Sequence, residues 1–329
     1  MCSLFGWLDY QGVVPHKILK KLTQSLANAA EERGTDATGI SYIKDGKVVI
    51  FKRPKAAHKL HLGPPEGTRA LMGHTRMTTQ GSEKRNQNNH PFPGKTGNIS
   101  WSLAHNGCLS NDRSLRKEKQ LPVTDVETDS YIAVQLIESQ NKLDFDSLRY
   151  MAESVHGSFT FSLLSEDNSL YFVKGNNPLC LLHFKSLGLY IYASTETIIK
   201  AALRRLGFNK FAAEKIDINE GDILKIDKTG GIIRAEFTPA PSYGYFSHYK
   251  WWGDYEDYYS AYEETLIEMA HCFGADEDDV IMLLDYGYST DDVEELLLDM
   301  AAFQEAVRDV RFGEGESLYS GYCYGGSFL

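Results

Sequence analysis

The chain has 329 residues, of which 42% are hydrophobic and 24% charged, a composition that indicates a globular protein and excludes a disordered or fibrous one. No run approaches the roughly 18 consecutive apolar residues of a transmembrane helix, and no basic segment followed by an apolar one opens the chain. The five cysteines lack CxxC and zinc-type spacing, so we expect no structural metal site and a cytoplasmic protein that contacts no membrane.

Charge is distributed unevenly along the chain. There are 34 basic and 45 acidic residues, for a net charge of −11, yet residues 254–329 hold 20 of the acidic residues and only two basic ones, Arg308 and Arg311. That segment has a net charge of −18, which leaves +7 for residues 1–253. This difference in net charge predicts that the chain consists of two structural units. Because phosphate repels the acidic unit and the basic excess of the other is small, we expect no nucleic-acid partner.

Hydrophobic periodicity predicts mostly strands before residue 238, with a strong hairpin signal at Asp45-Gly46. In chain order the predicted elements are a strand at Ser3–Asp9, a helix over residues 18–30, strands at Thr38–Ile43, Lys47–Lys52, Arg69–Thr75 and Ile99–His105, a helix at Asp129–Glu138, strands at Gly157–Leu164, Leu170–Lys174, Leu179–Phe184 and Leu189–Ala193, a helix at Thr197–Leu206, and strands at Asp222–Asp227 and Ile232–Phe237. Hairpins with a few helices indicate an α+β layered fold rather than a doubly wound one.

The character of the sequence changes near residue 240. We predict a first domain over residues 2–240, an aromatic-rich linker over 241–254, a small acidic helical unit over 255–310 and a flexible tail over 311–329. The helices of the acidic unit are predicted at Tyr255–Cys272, Asp278–Leu284 and Asp291–Val310. Ser289, three residues before Asp292, is a capping-box signal for the last of them.

Cys2 is the first candidate for chemistry. If Met1 is removed, Cys2 carries both a thiol and a free α-amine, whose ordinary pKa is about 7.7–8.0. Such an amine can accept the thiol proton near neutral pH, so one residue supplies both nucleophile and base. The alternative is an inert strand cysteine.

Three further positions carry groups that are suited to an amino-acid substrate. Arg76, at the end of a predicted strand, can bind a carboxylate through two N–H groups, or form a surface ion pair. Asn106 and Gly107 can direct an amide N–H and a backbone N–H at a developing oxyanion, or form a plain turn. Asp129 can bind an ammonium group, or act as a carboxylate at a helix start.

Seven short blocks occur in one order over residues 2 to about 238. They are Cys2-x-x-Phe5-Gly6, Arg33-Gly34-x-Asp36-x-x-Gly39, Gly73-His74-Thr75-Arg76-x-x-Thr79-x-Gly81, Asn89-His90-Pro91, His105-Asn106-Gly107, Glu127-Thr128-Asp129 and Gly157-Ser158-Phe159. Together they resemble the glutaminase domain of the class II glutamine amidotransferases, which are N-terminal nucleophile hydrolases, and especially that of glucosamine-6-phosphate synthase. The resemblance implies a four-layer αββα sandwich for residues 2–240, with the acidic helical unit added to it.

The resemblance also implies a role for each matching residue. Cys2 is the nucleophile and its α-amine the base, while the Asn106 side chain and the Gly107 N–H form the oxyanion hole. No metal or other cofactor is implied. The residues implied in glutamine binding are Arg76 for the α-carboxylate, Asp129 for the α-ammonium, and the backbone of Thr79 and Gln80; those implied in support of the site are Arg33 and Asp36.

The implied reaction is hydrolysis of the glutamine side-chain amide to glutamate and ammonia through a Cys2 thioester. Residues 254–329 are too few for an ammonia-accepting domain, so we expect a separate synthase or transferase subunit as partner. Met77 and Gln80 depart from the Trp and His of the synthase, which affects the loop over glutamine more than the chemistry. Two alternatives stay open, a hydrolase of another γ-glutamyl or acyl amide, and a non-catalytic glutamine-binding regulatory protein.

Overall fold

A computed structural model describes residues 2–204, 206–239, 263, 266–267, 270 and 273–312. The chain divides into two compact units, Met1–Tyr243 and Gly244–Leu329. The predicted linker 241–254, nearly all of the predicted helix Tyr255–Cys272, and the predicted tail from residue 313 onward lie outside the described residues. Within the described residues, no helix has both the length and the apolar character needed to cross a membrane.

The first unit contains two antiparallel sheets and five α-helices among its described residues. Its strands are β1 Ser3–Asp9, β2 Ala37–Lys44, β3 Lys47–Arg53, β4 Ala70–Arg76, β5 Phe92–Thr96, β6 Ile99–Leu109, β7 Gly157–Ser165, β8 Leu170–Lys174, β9 Cys180–Phe184, β10 Leu189–Ala193, β11 Glu214–Ile216, β12 Asp222–Ile226 and β13 Ile232–Glu236. Its helices are α1 His16–Ala29, α2 Asp112–Glu118, α3 Tyr131–Ser139, α4 Phe145–Ser154 and α5 Glu196–Leu203. The strand orders are β11-β9-β10-β1-β4-β2-β3 in the first sheet and β13-β12-β8-β7-β6-β5 in the second.

Three separate hydrophobic cores stack these elements into four layers. Strand β1 shows how, because neighbouring side chains of a strand point to opposite faces. Phe5 and Trp7 pack with α1 and α5 on one face, whereas Leu4 and Leu8 pack against the second sheet. A third core joins the outer face of the second sheet to α3 and α4. The predicted α+β four-layer αββα sandwich is thereby confirmed.

The predicted strands and helices of this unit are all present, with ends that shift by a few residues. The hairpin at Asp45-Gly46 forms with both residues at positive φ, 51° and 71°, as its turn type requires. One boundary was wrong, because β6 continues past His105 to Leu109. Four elements were missed, namely α2, α4, β5 and β11. Strand β5 was missed because it contains Pro93 and Gly94; as the edge of its sheet it needs fewer backbone donors.

The second unit has three described helices, α6 Glu277–Tyr286, α7 Thr290–Leu298 and α8 Met300–Phe312, around a small apolar core. The predicted capping box is present, since Ser289 and Asp292 bond each other's backbone N–H groups. The prediction of a single helix over Asp291–Val310 was wrong, because two helices form there. Asp299 separates α7 from α8, and its carboxylate accepts hydrogen bonds from the N–H groups of Ala301 and Ala302. A short acidic side chain competes with the helix for its backbone donors in this way.

Candidate active site

Candidate residues lie at the neighbouring ends of three inner strands of the first sheet, β1, β4 and β2. Ser3 pairs with Thr75 between β1 and β4, so Cys2 lies level with Arg76 in the register. Strand β2 pairs with the other side of β4, with Ala37 opposite Arg76. Gly34 is required just before β2, because a Cβ there would lie 2.5 Å from the backbone carbon of Arg76. The sheet therefore brings the thiol, the guanidinium and the segment that contains Asp36 together.

The Cys2 thiol is buried against the loop that follows β4. Its Sγ donates to the Met77 carbonyl at 3.4 Å, and the Arg33 side chain donates from Nε to the Cys2 carbonyl at 3.3 Å. Burial raises the pKa of the thiol, an effect that the Arg76 charge opposes and the Asp129 charge reinforces. The thiol is therefore protonated at neutral pH and needs a base before it can act as a nucleophile.

Arg76 is a buried cation that has no ion-pair partner in the described part of the chain. Only 2% of it is exposed, and its guanidinium donates to Asn89 Oδ1 at 2.7 Å and to the carbonyls of Gln80 and Gly81 at 2.6 and 3.0 Å. Burial lowers its pKa, although arginine stays charged in proteins. Three of its five N–H groups are used in these bonds, which leaves two for an anionic ligand.

Asp129 is a buried carboxylate on the second sheet's side of the site, and it too forms no ion pair with a described residue. It is 3% exposed, and its Oδ2 accepts from the Leu109 N–H at 2.6 Å. Burial raises its pKa to about 6, partly offset by the N–H groups of Leu109 and Ser130. Above that pH the carboxylate is a fixed negative charge that acts on both Cys2 and Arg76.

Asn106 and Gly107 lie inside β6, not in a turn after it. Asn106 is fully buried, and neither its Oδ1 nor its Nδ2 has a hydrogen-bond partner within the described residues. An unpaired buried polar group costs about 1–3 kcal/mol, so it calls for a functional explanation. Gly107 has φ +139°, and a Cβ there would lie 2.0 Å from the Ser158 carbonyl oxygen. These strand positions thus hold an unpaired amide beside a residue that must be glycine.

Three buried histidines, His74, His90 and His105, pack next to one another near these residues. His74 Nε2 donates to the His105 carbonyl at 2.9 Å, which links β4 to β6 across the two sheets, and the His90 ring packs at a tilt against the His74 ring, with 4.1 Å between ring centroids. Burial lowers the pKa of His74 and of His105 to about 3, and that of His90 well below its usual value. The rings are therefore neutral at physiological pH. The described residues contain no His, Cys, Asp and Glu cluster that could hold a metal ion.

The remaining predicted residues lie around the loop after β4. Asp36 accepts from the Thr78 N–H at 2.7 Å, so it anchors the start of that loop. The Gln80 side chain donates to the Glu127 carbonyl at 3.0 Å, and its own carbonyl holds Arg76, while Thr79 is half-buried beside it. The backbone carbonyl of Gln80 is thus already occupied by a hydrogen bond from Arg76.

Two residues of the site were missed in the sequence. Asn89 holds Arg76 through Oδ1 and donates from Nδ2 to the Glu83 carbonyl at 2.8 Å. Its block, Asn89-His90-Pro91, was noticed but given no role. Asn177 donates from Nδ2 to the Asn106 carbonyl at 3.0 Å, and no sequence signal marks it, because the two residues lie 71 positions apart.

Comparison with known proteins identifies a family that this chain resembles in sequence. The family model of class II glutamine amidotransferases matches residues 1–183. Curated relatives named glutamine–fructose-6-phosphate aminotransferase (isomerizing) are 28% identical over 194 residues in Staphylococcus aureus and 29% identical over 189 residues in Staphylococcus epidermidis. These matches cover 55% and 54% of this chain, and the chain spans only 30% of either relative.

Solved structures show the same fold. A glutamine phosphoribosylpyrophosphate amidotransferase from B. subtilis superposes with a TM-score of 0.55 at 21% identity. An allosteric regulatory enzyme of purine biosynthesis superposes with a TM-score of 0.56 at 20% identity. Each match covers 72% of this chain and 49% of the other. Since the family model covers more than half of the chain, the protein belongs to the class II glutamine amidotransferases, a family of enzymes with the N-terminal nucleophile hydrolase fold.

Proposed function

We propose that the protein hydrolyses the side-chain amide of glutamine to glutamate and ammonia, with Cys2 as nucleophile. The observation that carries this proposal is the pair of buried, opposite charges of Arg76 and Asp129, neither of which has an ion-pair partner among the described residues. A buried charge without a partner is costly, and a bound amino acid supplies both missing partners, its α-carboxylate and its α-ammonium. Both charges act on the Cys2 thiol.

The chemistry begins with the thiol proton. In the active form the chain begins at Cys2, and its α-amine accepts the proton as Sγ bonds to the amide carbon of glutamine. The carbonyl electron pair moves to oxygen, where the Asn106 Nδ2 and the Gly107 N–H donate to it. When the oxyanion collapses, the C–N bond breaks, the protonated amine gives its proton to the leaving nitrogen, and ammonia departs from a Cys2 thioester.

Water then releases glutamate. The amine takes a proton from the water as its oxygen bonds to the thioester carbon, and a second oxyanion forms in the same place. The C–S bond breaks, the thiolate regains the proton and glutamate leaves. The two charges at Arg76 and Asp129 hold the amino-acid head through both stages, so they contribute binding, while Asn106 and Gly107 contribute mainly to the transition states.

We further propose that the ammonia passes to an acceptor on a separate subunit. The relatives are named for the transfer of glutamine nitrogen to fructose-6-phosphate and for a phosphoribosylpyrophosphate amidotransferase, and this chain spans 30% and 49% of them. Amide-¹⁵N glutamine given to a purified complex with its acceptor subunit should label the acceptor product. Label found only in free ammonia would refute the transfer.

The direct test measures glutamate and ammonia from purified protein whose first residue, by intact mass, is Cys2. Equal amounts of both products are expected. Cys2→Ala should have no turnover, and Cys180→Ala is the matched control, because Cys180 is also a free, buried cysteine. Turnover by Cys2→Ala, or full turnover by protein in which a residue precedes Cys2, would refute the mechanism.

The same assay separates the alternatives. A hydrolase of other γ-glutamyl amides should accept γ-glutamyl anilides or hydroxamate at least as well as glutamine, since Arg76 and Asp129 contact only the head. A glutamine-binding regulator should bind glutamine in calorimetry without releasing ammonia. The free thiol of Cys2 and the Asn106 amide, which has no hydrogen-bond partner among the described residues, favour an enzyme, because binding of the amino-acid head requires neither group.

A further inference from the structure

We propose that Asn177 is a positioning residue that fixes the peptide group between Asn106 and Gly107, and so sets the direction of the Gly107 N–H. The inference rests on the proposed glutaminase function. Asn177 follows β8, is 1% exposed, and donates from Nδ2 to the Asn106 carbonyl at 3.0 Å. A Cβ on Gly107 would lie 2.5 Å from the same Nδ2. The amide therefore packs directly on this one peptide group.

The loop that carries Asn177 is itself held on β7, the strand beside β6. Asn177 donates from its backbone N–H to the Phe159 carbonyl at 3.4 Å, and its carbonyl accepts from Thr160 Oγ1 at 2.7 Å. The neighbouring Asn176 accepts from the Phe159 N–H at 3.0 Å through Oδ1. The Asn177 side chain thus approaches β6 from an anchored backbone, and its direction is determined by the loop.

A hydrogen bond to the Asn106 carbonyl controls the Gly107 N–H because the two belong to one planar unit. In a trans peptide the C=O and the next N–H point in opposite directions, so holding the oxygen on the Asn177 side turns the N–H to the other side. A bond accepted by the oxygen also polarises the N–H and makes it a stronger donor. Glycine at 107 has little rotational restraint of its own, at φ +139°.

The orientation of the Asn177 amide follows from the same contact. The opposite orientation would place Oδ1 against the Asn106 carbonyl oxygen, and two acceptors repel. With Nδ2 on the carbonyl, Oδ1 has no hydrogen-bond partner within the described residues. The contact is therefore kept although it leaves a buried acceptor unpaired, which indicates a role at the Asn106–Gly107 peptide rather than one in holding the loop alone.

This role predicts a loss that is confined to the transition state. Arg76 and Asp129 bind the amino-acid head elsewhere, so removal of the Asn177 donor should leave the KM for glutamine within about twofold of wild type. The kcat should fall about tenfold, the usual size of a lost, well-placed hydrogen bond to a group that acts on the oxyanion. The affinity for glutamate γ-semialdehyde, whose hemithioacetal places an oxygen in the oxyanion position, should fall by a similar factor. That for glutamate should not change.

The experiment compares Asn177→Asp with Asn176→Ala, each checked for folding by thermal melting. Asn177→Asp has the same shape, but its carboxylate repels the Asn106 carbonyl and regains a donor only when protonated. Its kcat relative to wild type, at saturating glutamine, should therefore rise as the pH falls. Asn176→Ala removes the hydrogen bond that Asn176 Oδ1 accepts from the Phe159 N–H in the same loop, and it should keep its kcat within about threefold of wild type. Asn177→Ser replaces Asn177→Asp if the latter does not fold, with the same expected loss of kcat.

The outcomes are separable. A lower kcat and weaker semialdehyde binding, with unchanged KM and glutamate affinity, supports the role. Normal kcat in folded Asn177→Asp and Asn177→Ser, or an equal loss in Asn176→Ala, would overturn the role of Asn177 while wild-type turnover leaves the proposed function intact. If wild-type protein that begins at Cys2 releases no ammonia from glutamine, the proposed function fails and this inference fails with it.

Discussion

The two halves of the site differ in the kind of electrostatics they use. One half consists of full charges, Arg76 and Asp129, which are buried and form no ion pair with any residue that the structure describes. The other consists of neutral dipoles, the Asn106 amide and the Gly107 peptide on β6. In the proposed mechanism, the full charges match groups that glutamine carries before, during and after reaction, whereas the dipoles face charge that develops only in the transition state. Binding and rate should therefore respond to different substitutions.

The largest effect should come from the dipole half. Asn106→Ala removes a preorganised donor, which typically lowers kcat by about 100- to 1000-fold, while the KM for glutamine stays near the wild-type value. Asn106→Asp, of the same shape, should be lower still because its charge repels the oxyanion. Steady-state kinetics on folded protein measure this. A wild-type kcat in Asn106→Ala would show that Asn106 does not belong to the oxyanion hole, and it would contradict the proposed separation of binding and rate between the two halves.

The charged half should mainly affect affinity. Arg76→Ala removes charge-assisted hydrogen bonds of about 2–3 kcal/mol, so KM should rise about 30- to 150-fold with a smaller change in kcat. Arg76→Lys keeps the charge but not the planar fork and should recover part of the loss. Arg85→Ala is the control, since Arg85 lies in the same loop but is exposed and paired with Glu127. A fall in kcat without a rise in KM would contradict the assignment.

A smaller effect should appear in the pH profile. Burial raises the pKa of Asp129 to about 6, so the carboxylate takes up a proton as the pH falls through 6 and loses its attraction for the α-ammonium. Besides the acid limb of kcat/KM that protonation of the Cys2 α-amine produces, we expect a further limb with a midpoint near pH 6, and Asp129→Asn should lack that further limb at a lower overall value. Asp125→Asn, at a nearby position, should keep it. A limb near pH 6 that survives unchanged in Asp129→Asn would belong to another group.

The smallest effect should come from the acidic unit. All the proposed catalytic and binding residues precede residue 130, and the chain divides into compact units at residue 243. We therefore propose that residues 2–240 form the glutaminase domain and that the helices of 255–310 are not needed for the chemistry. Protein truncated after residue 240 should release ammonia from glutamine within about threefold of the full chain. Loss of activity in a truncated protein that melts cooperatively would refute this separation.

Hydrophobic periodicity was sufficient to predict most of the strands and helices, since it is a local property, whereas the four-layer arrangement was implied by the family resemblance. The strand Ser3–Asp9 and the hairpin at Asp45-Gly46 were predicted within a residue or two, because each depends on neighbours in the chain. Strand β5 was missed since an edge position, which tolerates Pro93, is a property of the sheet and not of the segment. The break at Asp299 was missed because its side-chain bonds to Ala301 and Ala302 compete with a strong helical pattern.

For the site, the sequence by itself determined the reactive groups, and the tertiary structure decided their states. A thiol at Cys2, a guanidinium at Arg76 and a carboxylate at Asp129 are fixed by residue type. Their burial and the absence of ion pairs in the described residues depend on contacts between strands far apart in the chain. The same holds for the Asn106 side-chain amide, which has no partner among the described residues, and for the hydrogen bond that the Asn106 backbone carbonyl accepts from Asn177, 71 residues away. Hydrogen-bond satisfaction and desolvation are properties of the packed molecule, so no local pattern in the sequence encodes them.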